Sequence, residues 1–511
     1  MTASRRGNHA SHAEVVVVGA GFGGLGAALT LAAAGRKVVL CEALNYPGGC
    51  ASTFHRNRLR YEAGATLFSG FGPGQLFSRW VERHGMAVEW EQHDPVMTFT
   101  VDGQTHVVPA SRDAWIDHLV RQAPEHARGI RAFFKTIRAG SDALWGLIDE
   151  DTLTPRRAAK EVLNLGGHLG WMRWAGRPLI AVAQHHGVDE VQPLRAWLDA
   201  TCQITVQASA SEAEAPYGMA ACSFLFRGVA TVRGGIGRFA TELVHAIERC
   251  GGEIRFSNAI YRITRNDDGT WCVQGRGQPI TADNVVLNAL PSGASKLLGR
   301  PVLPELQSKL EAGWGAVMLY LTIRDRDDFP EGSSHHQVYS DPTQNPIEGN
   351  AALITLGERQ QGTEGPVRTA TVSTHFRMDR DETETPEAVA RVQQRLRDIV
   401  SATFPAWEVL HEMPASPRTF QRFTQRTGGL VGGVPRRVGL KQYLEPLRRP
   451  LDTGLYLVGD SVFLGQSTLA AAVGGQWVAS SILKRRLANT PGDLRPIPGT
   501  DQVSDTKIYG K

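Results

Sequence analysis

Cysteine is scarce and scattered: the six residues at 41, 50, 202, 222, 250 and 272 form no C-x-x-C pair. That pattern argues against a disulfide framework, a thiolate zinc site or an iron–sulfur cluster, and it leads to the expectation of a reducing, cytoplasmic setting. The chain also has no run of eighteen uninterrupted apolar residues, so no transmembrane helix is expected. A large excess of one charge is missing too: the net charge is +4, and charged residues make up 21% of the chain. Such a balance gives no reason to expect a nucleic-acid partner. There is no H-E-x-x-H, no P-loop, no nucleophile elbow and no recognisable triad. His185-His186 and His335-His336 are adjacent pairs whose side chains diverge in regular structure. With no carboxylate at ligand spacing beside them, no metal site is expected. Arg5-Arg6 precedes an apolar stretch broken by five glycines, which argues against an export signal.

What is present is a dinucleotide-binding signature. Val15-Val-Val-Val18 has the composition of a parallel strand buried on both faces, and Gly19-Ala-Gly-Phe-Gly-Gly24 follows it directly. Gly19, Gly21 and Gly24 fit G-x-G-x-x-G, which serves a tight turn, close backbone approach to a pyrophosphate, and close helix–strand contact. The helix runs through Ala27–Ala34 to Gly35, and Arg36–Glu42 reads as the second strand, ending in a carboxylate. Glu42 there hydrogen-bonds a ribose hydroxyl and repels a 2'-phosphate, so the site takes FAD or NAD rather than NADP. The triplet alone leaves FAD and NAD open.

At 511 residues the chain exceeds a single typical core. A second block of nucleotide-domain character begins with the helical pattern Gly234–Arg249 and continues as short strands near 251–256, 259–263, 271–273 and 282–289. A third runs from Thr453 to Ser461 as an apolar strand ending in Gly459-Asp460, then as a helix over Ala470–Leu483. Asp460 is placed to hold the ribityl or phosphate portion of FAD, the plainer reading being a helix N-cap. The helix N-terminus near Thr468 and Leu469 would face the flavin, where its partial positive charge stabilises the reduced anion. The expected division is a FAD-binding domain over 14–110, 225–300 and 450–487, and a substrate-binding, membrane-associating domain over 111–224 and 301–449. Flexible tails are expected at 1–13 and 488–511. Leu163–Val182 holds Trp171, Met172 and Trp174 beside Arg173 and Arg177, a mixture that suits a membrane-interface helix, an apolar entrance or a core helix with two snorkelling arginines.

With these blocks placed, the chain resembles the phytoene desaturase family of FAD-dependent carotenoid oxidoreductases, in the branch of carotenoid isomerases and C-3',4' desaturases. The resemblance covers nearly the whole chain. It is carried by Asn45-Tyr-Pro-Gly-Gly49, Tyr61-Glu-Ala-Gly-Ala65, Val232–Gly237, Asn288-Ala289, Ser416–Thr424, Gly428–Gly433, Gly454–Ser461 and Gly465-Gln466. It implies that Gly48, Gly49 and Gly64 approach the flavin and that the backbone of Ile260 meets the adenine. Cys50 departs from the family, which often has Arg or Ser after the double glycine; Leu464-Gly-Gln-Ser467 departs from its Pro-Gly-Gln-Gly. The implied fold is α/β: a discontinuous Rossmann-like FAD-binding domain with a mixed α+β substrate-binding domain.

The implied substrate is a carotenoid or related polyene, taken from a membrane surface by a peripherally associated protein. A polyene offers no carbonyl or phosphate to polarise, so side chains mainly position it, and no residue is assigned to the chemistry. The leading expectation is desaturation by hydride transfer from an allylic C–H to flavin N5, with an electron acceptor such as oxygen or a quinone. A redox-neutral cis-trans isomerase using reduced FAD and a retinol-type polyene saturase have nearly the same sequence pattern. An amine oxidase would need an aromatic cage, and no such pattern is evident. Glu62 is expected to make an ion pair or structural hydrogen bond, and Cys50 to be a small packing residue.

Overall fold

The structure is a computed structural model that describes residues 11–149, 169–378, 385–440, 442, 450–462 and 465–489. Two seven-stranded sheets organise these residues. In the first, β1 (Ser11–Val18) takes the centre because its branched valines suit a strand covered on both faces; Val15, Val16 and Val17 are at most 1% exposed. It pairs in parallel with β2 (Val38–Cys41) on one side and β12 (Ile280–Asn288) on the other. β2 continues to β9 (Glu253–Arg255), while β12 carries β18 (Leu455–Val458) and the antiparallel β11 (Trp271–Gln274) and β10 (Arg262–Arg265).

The register has a direct consequence. Val18 pairs with both Cys41 and Leu287, and Asn288 pairs with Val458. The carboxyl ends of β1, β2, β12 and β18 therefore fall level at one edge, where a parallel sheet presents its ligand crevice. The first helix (Phe22–Ala33) and the C-terminal helix (Thr468–Asn489) touch backbone to backbone. A Cβ on Gly26 would stand 2.5 Å from the Ala472 carbonyl oxygen, and one on Gly475 would stand 2.0 Å from that of Gly23. Only hydrogen fits at either position.

The second sheet runs β17 (Val409–Ala415), β13 (Trp314–Arg324), β16 (Gly365–Arg377), β15 (Ala351–Gly362), β14 (Ser334–Tyr339), β6 (Met97–Val101) and β7 (Gln104–Val108). Alternate residues of β13 serve two cores. Val317, Leu319, Leu321 and Ile323 pack with Val392 and Leu396 of the covering helix Pro386–Thr403, while Met318 and Tyr320 pack with Leu59 and Tyr61. The hairpin of β3 (Thr53–Arg56) and β4 (Leu59–Glu62) joins the two halves: Tyr61 Oη lies 2.7 Å from Thr322 Oγ1, and Tyr320 Oη donates to the Ala63 carbonyl at 2.6 Å. A short pair, β5 (Trp90–Gln92) with β8 (Ala230–Val232), adds a second link.

Several boundaries differ from those expected of the sequence. Ser11, His12 and Ala13 belong to β1, paired with Ile280, Thr281 and Ala282, so the first thirteen residues are not all tail; residues 1–10 and 490–511 lie outside the described residues. The block 14–110 is not wholly nucleotide domain, because β6 and β7 join the second sheet, Thr98 pairing with His336. A hairpin followed by helices carried no local sign of which sheet it would extend. Residues 488 and 489 still belong to the C-terminal helix.

Leu163–Val182 is not a single helix. Residues 163–168 lie outside the described residues, Leu169–Trp174 is a 3-10 turn, and Gly176 at φ 79° with Pro178 separates it from the helix Leu179–His185. Trp174, Leu179 and Val182 are buried, with Arg173 and Arg177 over the Trp174 ring at 4.8 and 5.9 Å. This is the snorkelling arrangement. The rings of His185 and His186 do not diverge but meet at 4.9 Å at a helix end, whereas His335 and His336 point to opposite faces of β14, toward Thr355 and Thr98. Among the described residues no group of three metal-ligating side chains exists.

The helix contact makes a prediction. Gly475→Ala should cost about 1–3 kcal/mol or more through backbone overlap, read as a lower thermal midpoint. Gly146→Ala, whose Cβ would enter open space, should leave the midpoint unchanged or raise it.

Candidate functional site

The site forms where the four parallel strands end. Gly19 leaves β1 at φ 98°, a conformation that favours glycine, and its N–H donates to the Cys41 carbonyl at 2.8 Å. The chain then enters the first helix with Gly21 at the N-cap. That helix has no side-chain cap and no acid in its first turn, so its leading N–H groups are left for an outside acceptor. A Cβ on Gly24 would lie 2.0 Å from the Gly19 carbonyl oxygen, which is why the third glycine of the triplet is needed.

Glu42 follows β2 and reaches back under this turn: Ala20 N–H donates to Oε2 at 2.7 Å and Leu44 N–H to Oε1 at 2.8 Å. Burial raises its pKa, and these backbone donors act against the rise. Ile260 is brought to the same corner by the segment after β9, where Ser257 N–H donates to the Leu44 carbonyl and Asn258 N–H to that of Glu42. Ile260 lies before β10 rather than within a strand.

The double-glycine turn folds onto the phosphate loop. Gly48 N–H donates to the Ala20 carbonyl at 2.8 Å, and Gly21 and Gly48 form a parallel bridge; Gly48 and Gly49 both have positive φ. Gly64 sits behind them, where a Cβ would approach the Cys50 carbonyl oxygen to 3.1 Å. Two residues earlier, Glu62 accepts from Thr53 Oγ1 at 3.1 Å and from Ile236 N–H at 3.2 Å at the start of the helix Ile236–Arg249. Burial, with Glu358 nearby, outweighs those bonds and raises its pKa to about 8. Beside it lies a cavity of about 50 Å³ lined by Arg60, Glu62, Thr355, Glu358, Thr369 and Thr371. Phe68, Val232 and Ile236 complete a lining of mixed character, and the enclosed space is too small for a polyene.

Gly459 and Asp460 arrive at the end of β18. A Cβ on Gly23 would lie 3.0 Å from Gly459 N, so the two nucleotide segments are in contact. Asp460 pairs with Arg426, Oδ2 to Nη1, at 3.0 Å. It is not the cap of the C-terminal helix: Ser467 Oγ accepts from Ala470 N–H at 2.9 Å. Thr468 and Leu469 open that helix one turn before its contact with Gly26, and Leu469 is buried toward Gly70. They are thus tied to the glycine loop through the helix pair, while Gly19, Gly21, Gly24, Glu42, Gly48 and Gly459 are linked directly at the edge and Gly64 and Ile260 lie in the adjoining segments.

Three further groups belong to the site and carried weaker signals. Asn288 ends β12, and its side chain covers the loop: Cβ atoms on Gly21 and Gly23 would stand 2.4 and 2.7 Å from its amide. Gln207 Nε2 donates to Gln466 Oε1 at 2.8 Å and to the Val431 carbonyl at 2.7 Å, binding the helical segment to the chain before Thr468. A Cβ on Gly433 would overlap the Asp460 carbonyl oxygen at 1.7 Å, and one on Gly429 the Pro417 carbonyl oxygen at 1.9 Å, which accounts for these two glycines of the run 428–433. Asn288 was visible as one residue of a motif; Gln207 and Arg426 needed the fold. Cys50 is unpaired, as are the other five cysteines, and burial pushes its thiol pKa up, which suits a packing residue.

The uncapped first helix, the glycine cradle and the Glu42 carboxylate fit a dinucleotide diphosphate and ribose, with Asp460 and the Gly48-Gly49 turn left for the ribityl and flavin portion. Glu42→Ala should weaken FAD binding about tenfold or more, as expected for hydrogen bonds to a charged group; titration of the apoprotein followed by flavin fluorescence measures it. Because the pKa of Glu62 stands at about 8 against its usual 4.5, the stabilisation it lends is complete below pH 4.5 and is lost as pH climbs toward 8. Glu62→Gln, which cannot ionise, should flatten the fall of the thermal midpoint across that window; an unchanged slope would show that Glu62 does not titrate there.

The family model for flavin containing amine oxidoreductases matches residues 22–476. Prolycopene isomerase 2 of an Oncidium hybrid cultivar, a chloroplastic protein, is 23% identical over 92% of this chain and 83% of its own length. Hydroxyneurosporene desaturase of Cereibacter sphaeroides is 25% identical over 92% of this chain and 97% of its own. Among solved structures, a putrescine oxidase with redesigned cofactor binding superposes with a TM-score of 0.59 at 14% identity, covering 93% of this chain and 100% of that one, a likeness of fold. The chain belongs to the flavin containing amine oxidoreductase family and is an FAD-dependent oxidoreductase, similar along nearly its whole length to carotenoid isomerases and desaturases.

Proposed function

We propose that the protein is an FAD-dependent carotenoid desaturase. The observation that carries the reading is the likeness to hydroxyneurosporene desaturase along 92% of the chain, together with the converging strand ends that form a dinucleotide edge. Bound FAD supplies a hydride acceptor at N5, and an acceptor such as oxygen or a quinone takes the electrons onward. The chain's own task is to hold the cofactor, exclude water and lay one C–C bond of an apolar chain against it. A second reading, a redox-neutral carotenoid cis-trans isomerase, is favoured by the likeness to prolycopene isomerase over the same share of the chain.

A lipophilic substrate has to be collected from a membrane, and the surface has a suitable feature. Met172, Val438 and Leu440 are 47%, 42% and 60% exposed, beside the exposed Arg173 and Arg177. The segment that follows the 3-10 turn meets the loop before residue 441, since a Cβ on Gly176 would be 3.2 Å from the Leu440 side chain. An apolar patch with cations at its rim suits anionic lipid headgroups. No helix among the described residues is long and apolar enough to cross a membrane.

Two measurements check these readings. Anaerobic incubation with liposome-dispersed carotenoids should bleach oxidised flavin and yield a product lighter by two hydrogens. A product of unchanged mass and shifted retention, formed only by chemically reduced protein, would establish the isomerase instead, and a gain of two hydrogens a saturase. For the patch, Leu440→Asp should reduce cosedimentation with anionic liposomes while flavin content stays at the wild-type level; equal sedimentation would count against the docking surface.

A further inference from the structure

Arg426 lies between the helix Pro417–Thr424 and the glycine run 428–433. Its guanidinium ties its own glycine run to two segments distant in sequence, those of Asp460 and Cys50. Nη1 stands 3.0 Å from Asp460 Oδ2 at the end of β18; Nε donates to the Leu430 carbonyl at 2.7 Å and Nη2 to that of Gly432. The Cys50 thiol, just past the double-glycine turn, adjoins the same group. Both members of the ion pair are largely enclosed, the side chains being 15% and 20% exposed. Cys50 is a neutral thiol, because burial raises its pKa. Among the described residues, Asp460 is therefore the charge that balances this cation.

We propose that Arg426 is a positioning residue of the FAD site, which fixes the carboxylate of Asp460 and cancels its charge. The inference rests on the assignment of Asp460 to that site. FAD carries a negative diphosphate, and a partly enclosed bare carboxylate next to its binding edge would oppose it. The neutral pair keeps Asp460 as a fixed hydrogen-bond acceptor without that repulsion. Its guanidinium fork also holds the carbonyls of Leu430 and Gly432, so the glycine run that packs on the Asp460 backbone is set by the same side chain. The reduced cofactor gains electrons and favours a more positive surrounding. The charge balance of the pair therefore bears on the flavin potential as well as on affinity.

The test compares Arg426→Gln, Arg426→Lys, Asp460→Asn and the double variant Arg426→Gln/Asp460→Asn, reading FAD dissociation by fluorescence and the flavin midpoint potential by dye equilibration. Arg426→Gln should weaken FAD binding about tenfold or more and lower the two-electron potential by about 30 mV or more, a tenfold change in the ratio of affinities for the two oxidation states. Asp460→Asn should move the potential in the opposite direction, and the double variant should return it toward the wild-type value. Arg426→Lys should keep the potential near wild type while losing part of the affinity, which covers the case in which Arg426→Gln fails to fold. A purely structural Arg426 would leave the potential unmoved, or shift it in one direction in all variants, and would overturn the proposal. If Asp460→Asn leaves both FAD affinity and potential unchanged, it is the placement of Asp460 that fails, and the proposal with it.

Discussion

The whole site depends on the register of one strand. β1 pairs in parallel with β2 and β12 so that Val18 meets Cys41 and Leu287, and β18 joins β12 in the same sense. Parallel pairing aligns carboxyl ends, and an acid, an amide and two glycine turns follow those ends. A slip of one residue would turn the valines from one face to the other and move Glu42 away from Ala20 N–H. Because Val15 to Val17 are buried on both faces, the loss on such a slip is the level alignment of the strand ends rather than solvent exposure. The rigidity of a hydrophobic strand thus positions polar groups that hardly touch one another directly.

A second constraint acts through absent side chains. The first and C-terminal helices approach until backbone meets backbone at Gly23, Gly26 and Gly475. This contact ties the Asp460 segment, reached late in the chain, to the phosphate loop formed at its start. The same device operates where Gly433 lies on the Asp460 carbonyl and where the double glycine folds on Ala20. Close approach of this kind excludes water and leaves the unpaired N–H groups of the first helix as its ready donors for an anion. The polar residues then have few positions available, which is what a cofactor site requires.

The second sheet reaches this edge through the β3–β4 hairpin. Tyr61 and the Ala63 carbonyl are held by Thr322 and Tyr320 of β13, while Glu62 holds the start of the helix Ile236–Arg249 on the other face. Alternation along β4 lets one short strand serve both halves of the molecule. Gln207 and Gln466 make a comparable link from the helical segment to the chain before Thr468. Substrate and cofactor regions are thereby joined by hydrogen bonds between side chains that regular structure has already placed, which suits chemistry carried out mainly by positioning.

Much of the nucleotide site was determined by local sequence. A valine run, G-x-G-x-x-G and an acid after the next strand need no tertiary information, because strand, turn and helix start are each set by a few neighbouring residues, and Gly19, Gly21, Gly24 and Glu42 meet accordingly. The Gly459-Asp460 turn was legible for the same reason. Other features had no local signal. β6 and β7 could extend either sheet, and their membership follows from a partner more than two hundred residues away, Thr98 opposite His336. The Leu163–Val182 stretch has an apolar composition that suits a helix, yet Gly176 and Pro178 divide it and the core takes Trp174. Arg426 and Gln207 are ordinary polar residues in sequence, and they matter because folding sets one against Asp460 and the other against Gln466. The strand–turn–helix units of the nucleotide site could be read from the chain; which sheet a strand joins and which distant side chains share an enclosed space were decided by the tertiary structure, because burial and pairing are properties of the packed whole.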